Sequence, residues 1–219
     1  MPPSNIRKSR KKRARRGRTY LLGTLALVLI VAVGLYVYAS SQSANSNPPS
    51  TGIVYAKLNT SKGVIDVELY QIKTPQTVTN FVNLAKSGFY NNLVWHRIIA
   101  DFVIQTGDPN TRNGGGDRNH WGEGGSSETV PFEGDSSLHN TGSYLGMAHS
   151  GDPNSGSSQF FINLGDNTHL DGRHTVFGKV IGGMNVVLEI AGLAVDSPEN
   201  GQPLDPLPFL TSVTISTSP

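Results

Sequence analysis

From Tyr20 to Ala39 the chain runs for 20 residues, YLLGTLALVLIVAVGLYVYA, without one charged side chain. An α-helix rises about 1.5 Å per residue, so such a run spans about 30 Å, the hydrocarbon thickness of a bilayer. A run this long with no charge is a poor fit to a helix of a water-soluble core. Tyr20, Tyr36 and Tyr38 stand near its ends, where amphipathic rings favour the membrane interface. The run therefore predicts one transmembrane helix over 20–39. Val37-Tyr38-Ala39 loosely resembles a signal-peptidase site, so secretion after cleavage is the alternative. The run exceeds the usual length of a signal core, which favours a retained anchor.

Charge sets the expected topology. Nine of the 18 basic residues fall between Arg7 and Arg18, and no acid precedes Asp66. Positive flanks stay in the cytoplasm, so the arm 1–19 is expected inside and everything after the helix outside. The other nine basic residues face all 16 acidic ones, a net charge of −7 beyond the arm. That part should repel phosphate backbones, and no nucleic-acid partner is expected. A basic cytoplasmic arm on an anchored protein suggests a bacterial architecture. The chain has no cysteine, which excludes disulfides, zinc-thiolate sites and thiol nucleophiles.

Residues 40–52 (SSQSANSNPPSTG) read as a flexible tether with an r.m.s. reach of about 20 Å. The folded domain is expected over 53–219. Val54, Ala56 and Leu58 alternate with polar residues, as do Ile65, Val67 and Leu69, with a turn at Thr60-Ser61-Lys62-Gly63; this is a hairpin. Thr74-Pro75 reads as a helix cap followed by Pro at the first helical position. Val78, Phe81, Val82 and Ala85 then mark one face of a short helix that Gly88 stops. Further strands are expected at 94–99, 102–106, 158–164, 175–180 and 213–216, and a second helix over 184–193. The Gly-rich stretch 107–127 has neither period. Many short strands with two helices suggest a mainly β, closed antiparallel barrel.

Two segments carry unusual chemistry. In SQFFINL, Phe160, Ile162 and Leu164 share one strand face, while Gln159, Phe161 and Asn163 share the other, an aromatic between two amides. In WHRII, an arginine interrupts a run of bulky apolar residues. Together with DFVIQTGDP, YLGMAHS and LDGRHTVFGKV these motifs, in this order, resemble the cyclophilin family of prolyl isomerases. The resemblance runs from about Val54 to the C-terminus. It implies an eight-stranded closed antiparallel barrel capped by two helices, a peptidyl-prolyl cis–trans isomerase activity on proline-containing polypeptides, and no cofactor or metal.

The resemblance also implies roles. Arg97 matches the catalytic arginine and Gln105 the glutamine that steadies it. Phe102, Val103, Phe161 and Leu170 match the pocket for the proline ring, with His174 as a wall. Gln159 matches a second supporting amide, and Met147, Ala148 and His149 match the segment whose backbone pairs with bound peptide. His96 is expected to be structural. This chain has Val103 where the family often has Met, which makes a shallower pocket. His169 stands where many members have Trp, which implies weak sensitivity to cyclosporin. The loop Asp152 to Ser158 differs in length from the common eukaryotic form, which bears on how His149 aligns.

Rival readings are weaker. Gly134-Asp135-Ser136 and Asp171 with His174 mimic GDS and DxxH blocks of an esterase group, but no strand-to-helix context surrounds them. Gly114-Gly115-Gly116 is not followed by Lys-Ser/Thr, and no histidines form an HExxH pair. The remaining alternative is a cyclophilin-like module that holds proline segments as a chaperone with little turnover.

Overall fold

The computed structural model describes residues 52–219. The expected arm, membrane helix and nearly all of the tether lie outside the described residues. Among the described residues no helix is long and apolar enough to cross a membrane.

The chain opens with the expected hairpin, β1 (Ile53–Thr60) and β2 (Gly63–Tyr70). Their register closes on Thr60 opposite Gly63. Gly63 sits at φ +135°, which side chains rarely adopt, and the Thr60 hydroxyl donates to its carbonyl at 2.7 Å. Alternation buries Ala56, Leu58, Ile65, Val67 and Leu69 on one face.

Helix α1 (Pro75–Lys86) has Pro at its start as expected and buries Val78, Phe81 and Ala85. The cap differs from expectation. The Thr74 hydroxyl turns back to the Tyr70 carbonyl, so it does not serve the helix. The Glu133 carboxylate, from a distant loop, accepts the N–H groups of Gln76 at 3.0 Å and Thr77 at 2.7 Å instead. An anion at this end also suits the helix dipole. Gly88, at φ +75°, ends the helix.

The strands β3 (Leu93–Val94), β4 (Arg97–Ile99), β5 (Val103–Thr106), β6 (Tyr144–Met147), β7 (Phe160–Asn163), β8 (Val176–Gly182) and β9 (Phe209–Ser216) complete one antiparallel sheet. Its order is β3-β9-β1-β2-β8-β6-β7-β5-β4. Two expectations are corrected here. The sheet has nine strands rather than eight, and its ladder is open rather than closed. The expected strand 94–99 breaks at Trp95-His96: the Trp95 N–H still follows the β3–β9 register to Pro208, whereas the Ile98 N–H turns to Gly201. The two edge strands are thus neighbours in the chain, and the sheet curls back on itself through two residues of backbone. Strand β6 was not expected; four residues with a glycine at the third carry too little period to read.

Helix α2 (Met184–Ala191) adds Val186, Val187 and Ile190 to the same core. Phe81, Tyr90, Trp95, Phe160 and Phe177 fill its centre, with Phe81 edge-on to Phe160 at 5.3 Å. The stretch 107–127 forms short 3-10 turns at Pro109–Gly114 and Arg118–His120.

Glu133→Ala removes the cap of α1. It should lower stability by about 1–2 kcal/mol, read as a shifted urea midpoint with an unchanged slope.

Candidate active site

Antiparallel pairing builds the site. Arg97 on β4 lies opposite Gln105 on β5, and Gln105 lies opposite Phe161 on β7. Residues two apart share a face, so Val103 joins Gln105 while Ile104 goes to the core. Phe161 and Val103 are both buried, yet neither belongs to the core cluster. They line the opposite face of the sheet.

A directional relay holds the guanidinium. Arg97 Nη1 donates to Gln105 Oε1 at 3.5 Å. Gln105 Nε2 donates to Gln159 Oε1 at 2.8 Å, and Gln159 Nε2 donates to the carbonyls of Gly122 at 2.8 Å and Gly124 at 2.7 Å. The buried Asp108 carboxylate in turn accepts the Gly122 and Asn110 N–H groups, which pins the Gly-rich loop. Each amide has only one orientation that satisfies both neighbours, so an acceptor faces Arg97. The guanidinium carbon sits 5.5 Å from the centroid of the Phe102 ring. Desolvation lowers the Arg97 pKa, but from so high a starting value that the group stays charged.

Of the expected pocket residues, Phe102 lies against the guanidinium and Phe161 stands opposite Gln105. Phe102 stacks on His169 at 5.9 Å, with 19° between the planes. Phe161 meets His174 edge-on at 5.6 Å. His174 stacks on His149 at 4.1 Å, and its Nδ1 donates to the Met147 carbonyl at 2.9 Å. Burial, with a lesser contribution from His149, lowers the His174 pKa, so the ring is neutral near pH 7. Leu170 ends a 3-10 turn, Thr168–Leu170, and its carbonyl accepts the N–H groups of Arg173 and His174. Gly146 lies beneath Phe161: a Cβ there would fall 2.2 Å from the ring. Only glycine lets the ring lie where it does.

Of the three residues expected to pair with peptide, Met147 puts its side chain in the core and its N–H on the Thr175 carbonyl. The Ala148 N–H is committed to Gln159 at 3.0 Å. His149 holds its place through its ring, which donates to the Arg173 carbonyl at 3.0 Å and accepts the Gly151 N–H. A cavity of about 240 Å³ opens here, lined by Gln105, Gln159, His149, Glu123, Gly124 and Ser155 among others. The esterase-like blocks, Gly134 to Ser136 with Asp171 and His174, line one cavity, but their hydrogen bonds form no triad. Asp171 pairs with His139 at 2.8 Å, whereas the His174 Nδ1 goes to Met147.

Sequence reasoning missed the carbonyls of Gly122 and Gly124. A backbone acceptor leaves no side-chain signature, and the loop has no period. It also missed the stack of His169 on Phe102 and the need for Gly146.

The chain matches the family described as cyclophilin type peptidyl-prolyl cis-trans isomerase/CLD over residues 55–214. It is 42% identical over 160 residues to peptidyl-prolyl cis-trans isomerase ppi1 of Schizosaccharomyces pombe, covering 73% of this chain and 97% of that one. It is 44% identical over 153 residues to peptidyl-prolyl cis-trans isomerase-like 1 of Aspergillus niger, covering 69% of this chain and 89% of that one. Among solved structures it resembles a cyclophilin type peptidyl-prolyl cis-trans isomerase of Cryptosporidium parvum, with a TM-score of 0.67 at 28% identity, covering 76% of this chain and 99% of that one. The chain belongs to the cyclophilin family and carries its mainly β fold. It is a peptidyl-prolyl cis–trans isomerase. The two curated relatives named here are fungal, so they lend no support to the bacterial character expected from the arm and the uncharged run.

His96 is buried beside this site, and neither ring nitrogen has a hydrogen-bond partner. Burial pushes its pKa from 6.5 to about 4, against the opposing pull of Asp108. An unfolded chain takes up this proton near pH 6.5 and the folded chain only near pH 4. Stability from this group is intact above the first value and is lost as pH falls through the second, by about 3 kcal/mol in all. Urea midpoints at pH 7 and pH 4.5 should therefore differ less in His96→Gln than in the parent chain.

Proposed function

We propose that Arg97 is the catalytic donor of this isomerase, and that the chain acts on Xaa-Pro bonds of polypeptides outside a membrane to which residues 20–39 anchor it. The observation that carries the first part is the relay from the Gly-rich loop through Gln159 and Gln105 to a guanidinium poised over Phe102.

An amide resists rotation by about 18–20 kcal/mol because its nitrogen lone pair is delocalised into the carbonyl. In the twisted state the proline nitrogen regains that lone pair and becomes an acceptor. A fixed cation that donates to it favours the twisted state over the planar one. One charge-assisted hydrogen bond is worth about 1.5–3 kcal/mol, whereas a millionfold acceleration needs about 8 kcal/mol. The remainder comes from holding the ring. Phe102, Val103, Phe161 and Leu170 grip it, with His174 as a wall, while the preceding carbonyl swings. Gln105 and Gln159 keep the guanidinium from following the substrate. His149, with the neighbouring Met147 and Ala148, borders the strip along which the peptide lies. A crystal structure of the Cryptosporidium protein in the presence of the dipeptide Ala-Pro accords with a proline-bearing ligand.

The anchored topology rests on the sequence: a basic arm, 20 uncharged residues and a polar tether. Clients are then secreted or membrane-bound chains whose folding waits on proline isomerisation, a step of about tens to hundreds of seconds.

The full chain should accelerate isomerisation of an Xaa-Pro peptide. Arg97→Ala should cut kcat/KM by about 10- to 100-fold, the rate equivalent of one charged hydrogen bond. An unchanged rate in that variant would remove Arg97 from the mechanism. For the anchor, the full chain should stay in the membrane pellet after an alkaline carbonate wash, with its N-terminus intact by mass. Release of the intact chain refutes the anchor, and a mass beginning near Ser40 shows cleavage.

A further inference from the structure

Three asparagines lie buried under the proposed proline pocket, and neither the expected site nor the family resemblance gives them a role. Asn140 and Asn163 are fully buried and Asn167 nearly so. Burying an amide costs free energy unless its hydrogen bonds are made, and here every side-chain N–H is used. Asn167 Nδ2 donates to the Phe102 carbonyl and to Asn163 Oδ1, both at 2.8 Å. Asn163 Nδ2 donates to the Tyr144 carbonyl at 3.0 Å and to Asn140 Oδ1 at 3.3 Å. Asn140 Nδ2 donates to Asp171 Oδ1 at 3.1 Å and to the His174 carbonyl at 3.4 Å. The amides thus donate head to tail, from Asn167 through Asn163 and Asn140, and the chain ends on a carboxylate. Asp171 also accepts the Asn140 N–H and the His139 ring. Aligned donors of this kind polarise one another, and reversing one amide would face donor with donor.

The ends of this chain are the parts of the pocket. Phe102 hangs from the carbonyl that Asn167 and the Leu164 N–H both hold. Phe161 stands two residues before Asn163 on β7, and faces the same side. The Leu170 N–H bonds to the Asn167 carbonyl, and the Asn167 N–H bonds to the Asn140 carbonyl. Asp171 and the His174 carbonyl bracket the turn that carries His174. The three asparagines therefore tie together the segments near 102, 161 and 170–174, adding to the Leu164–Phe102 backbone bond and the Phe102–His169 and Phe161–His174 ring contacts. None of the three touches Arg97, Gln105 or Gln159 by a hydrogen bond.

We infer that Asn140, Asn163 and Asn167 are positioning residues that set the width of the proline pocket, independently of the relay that holds Arg97. The inference rests on the pocket assignment above. Because the guanidinium relay is anchored elsewhere, in the Gly122–Gly124 loop, loosening the asparagines should weaken substrate binding while sparing the rotation step.

The test measures kcat and KM of the full chain on an Xaa-Pro peptide for Asn163→Ala, Asn167→Ala and the double variant, each checked for a cooperative melt. KM should rise about 5- to 10-fold with kcat within about twofold, and the double variant should be no worse than about the larger single, since both cut one chain. Asn167→Ser keeps a short donor and stands in for any variant that fails to melt cooperatively. It should give a smaller rise of the same kind. A folded variant with unchanged KM, or one that loses kcat instead, overturns the inference. Phe161→Ala separates the two levels. If it leaves KM unchanged, the pocket assignment itself fails; if it raises KM while the asparagine variants do not, only the positioning role fails.

Discussion

The site depends on one strand register. Arg97 opposes Gln105, and Gln105 opposes Phe161, across three antiparallel strands. Side chains alternate between faces with a period of two, so a slip of one residue would send the guanidinium into an aromatic core and turn Ile98 and Ile104 outward. The core forbids that slip. Ile98, Ile104 and Ile162 stand in line across the same strands and are buried against Phe160 and its aromatic neighbours. Apolar packing on one face therefore enforces the polar geometry on the other.

The outward face obeys a stricter polar rule. It carries half-buried amides and a cation, groups that are costly to bury unpaired. Two separate networks meet that cost. One begins at Asp108, passes through the Gly122 and Gly124 backbone and Gln159, and ends on Arg97. The other runs through the three asparagines to Asp171 and serves the segments that bear Phe102, Leu170 and His174. The two networks share no hydrogen bond, and they meet where the Arg97 guanidinium lies over the Phe102 ring. His169 stacks on Phe102 and His149 on His174 at the outer edges of the second network.

Legibility in the sequence followed the reach of the interactions. The hairpin β1–β2 and both helices were readable, because alternation, a Pro at a helix start and a helical stripe are local signals. Arg97, Phe161 and Gln159 stood out as residue types at odds with their strands, and the family resemblance gave roles to them and to Gln105. Strand β6 was not readable, since Tyr144–Met147 is held by β7 and β8 and not by its own pattern. The cap of α1 was misread for the same reason: Thr74 has the right chemistry, but Glu133 arrives from 57 residues away and takes the exposed N–H groups. A closed ladder was expected from the number of strands. In the structure the ladder stays open, with β3 and β4 as its edges.

By itself, the sequence determined the family, the hairpin and the helices, and singled out the candidate side chains for the chemistry. It also carries the uncharged run whose topology rests on charge alone. Only the tertiary structure decided how Arg97 is held, that the Gly-rich loop serves as its anchor through backbone carbonyls, and that three asparagines tie the pocket together. The physical reason is that these bonds join groups distant in sequence, and several of them are made by main-chain atoms common to every residue type.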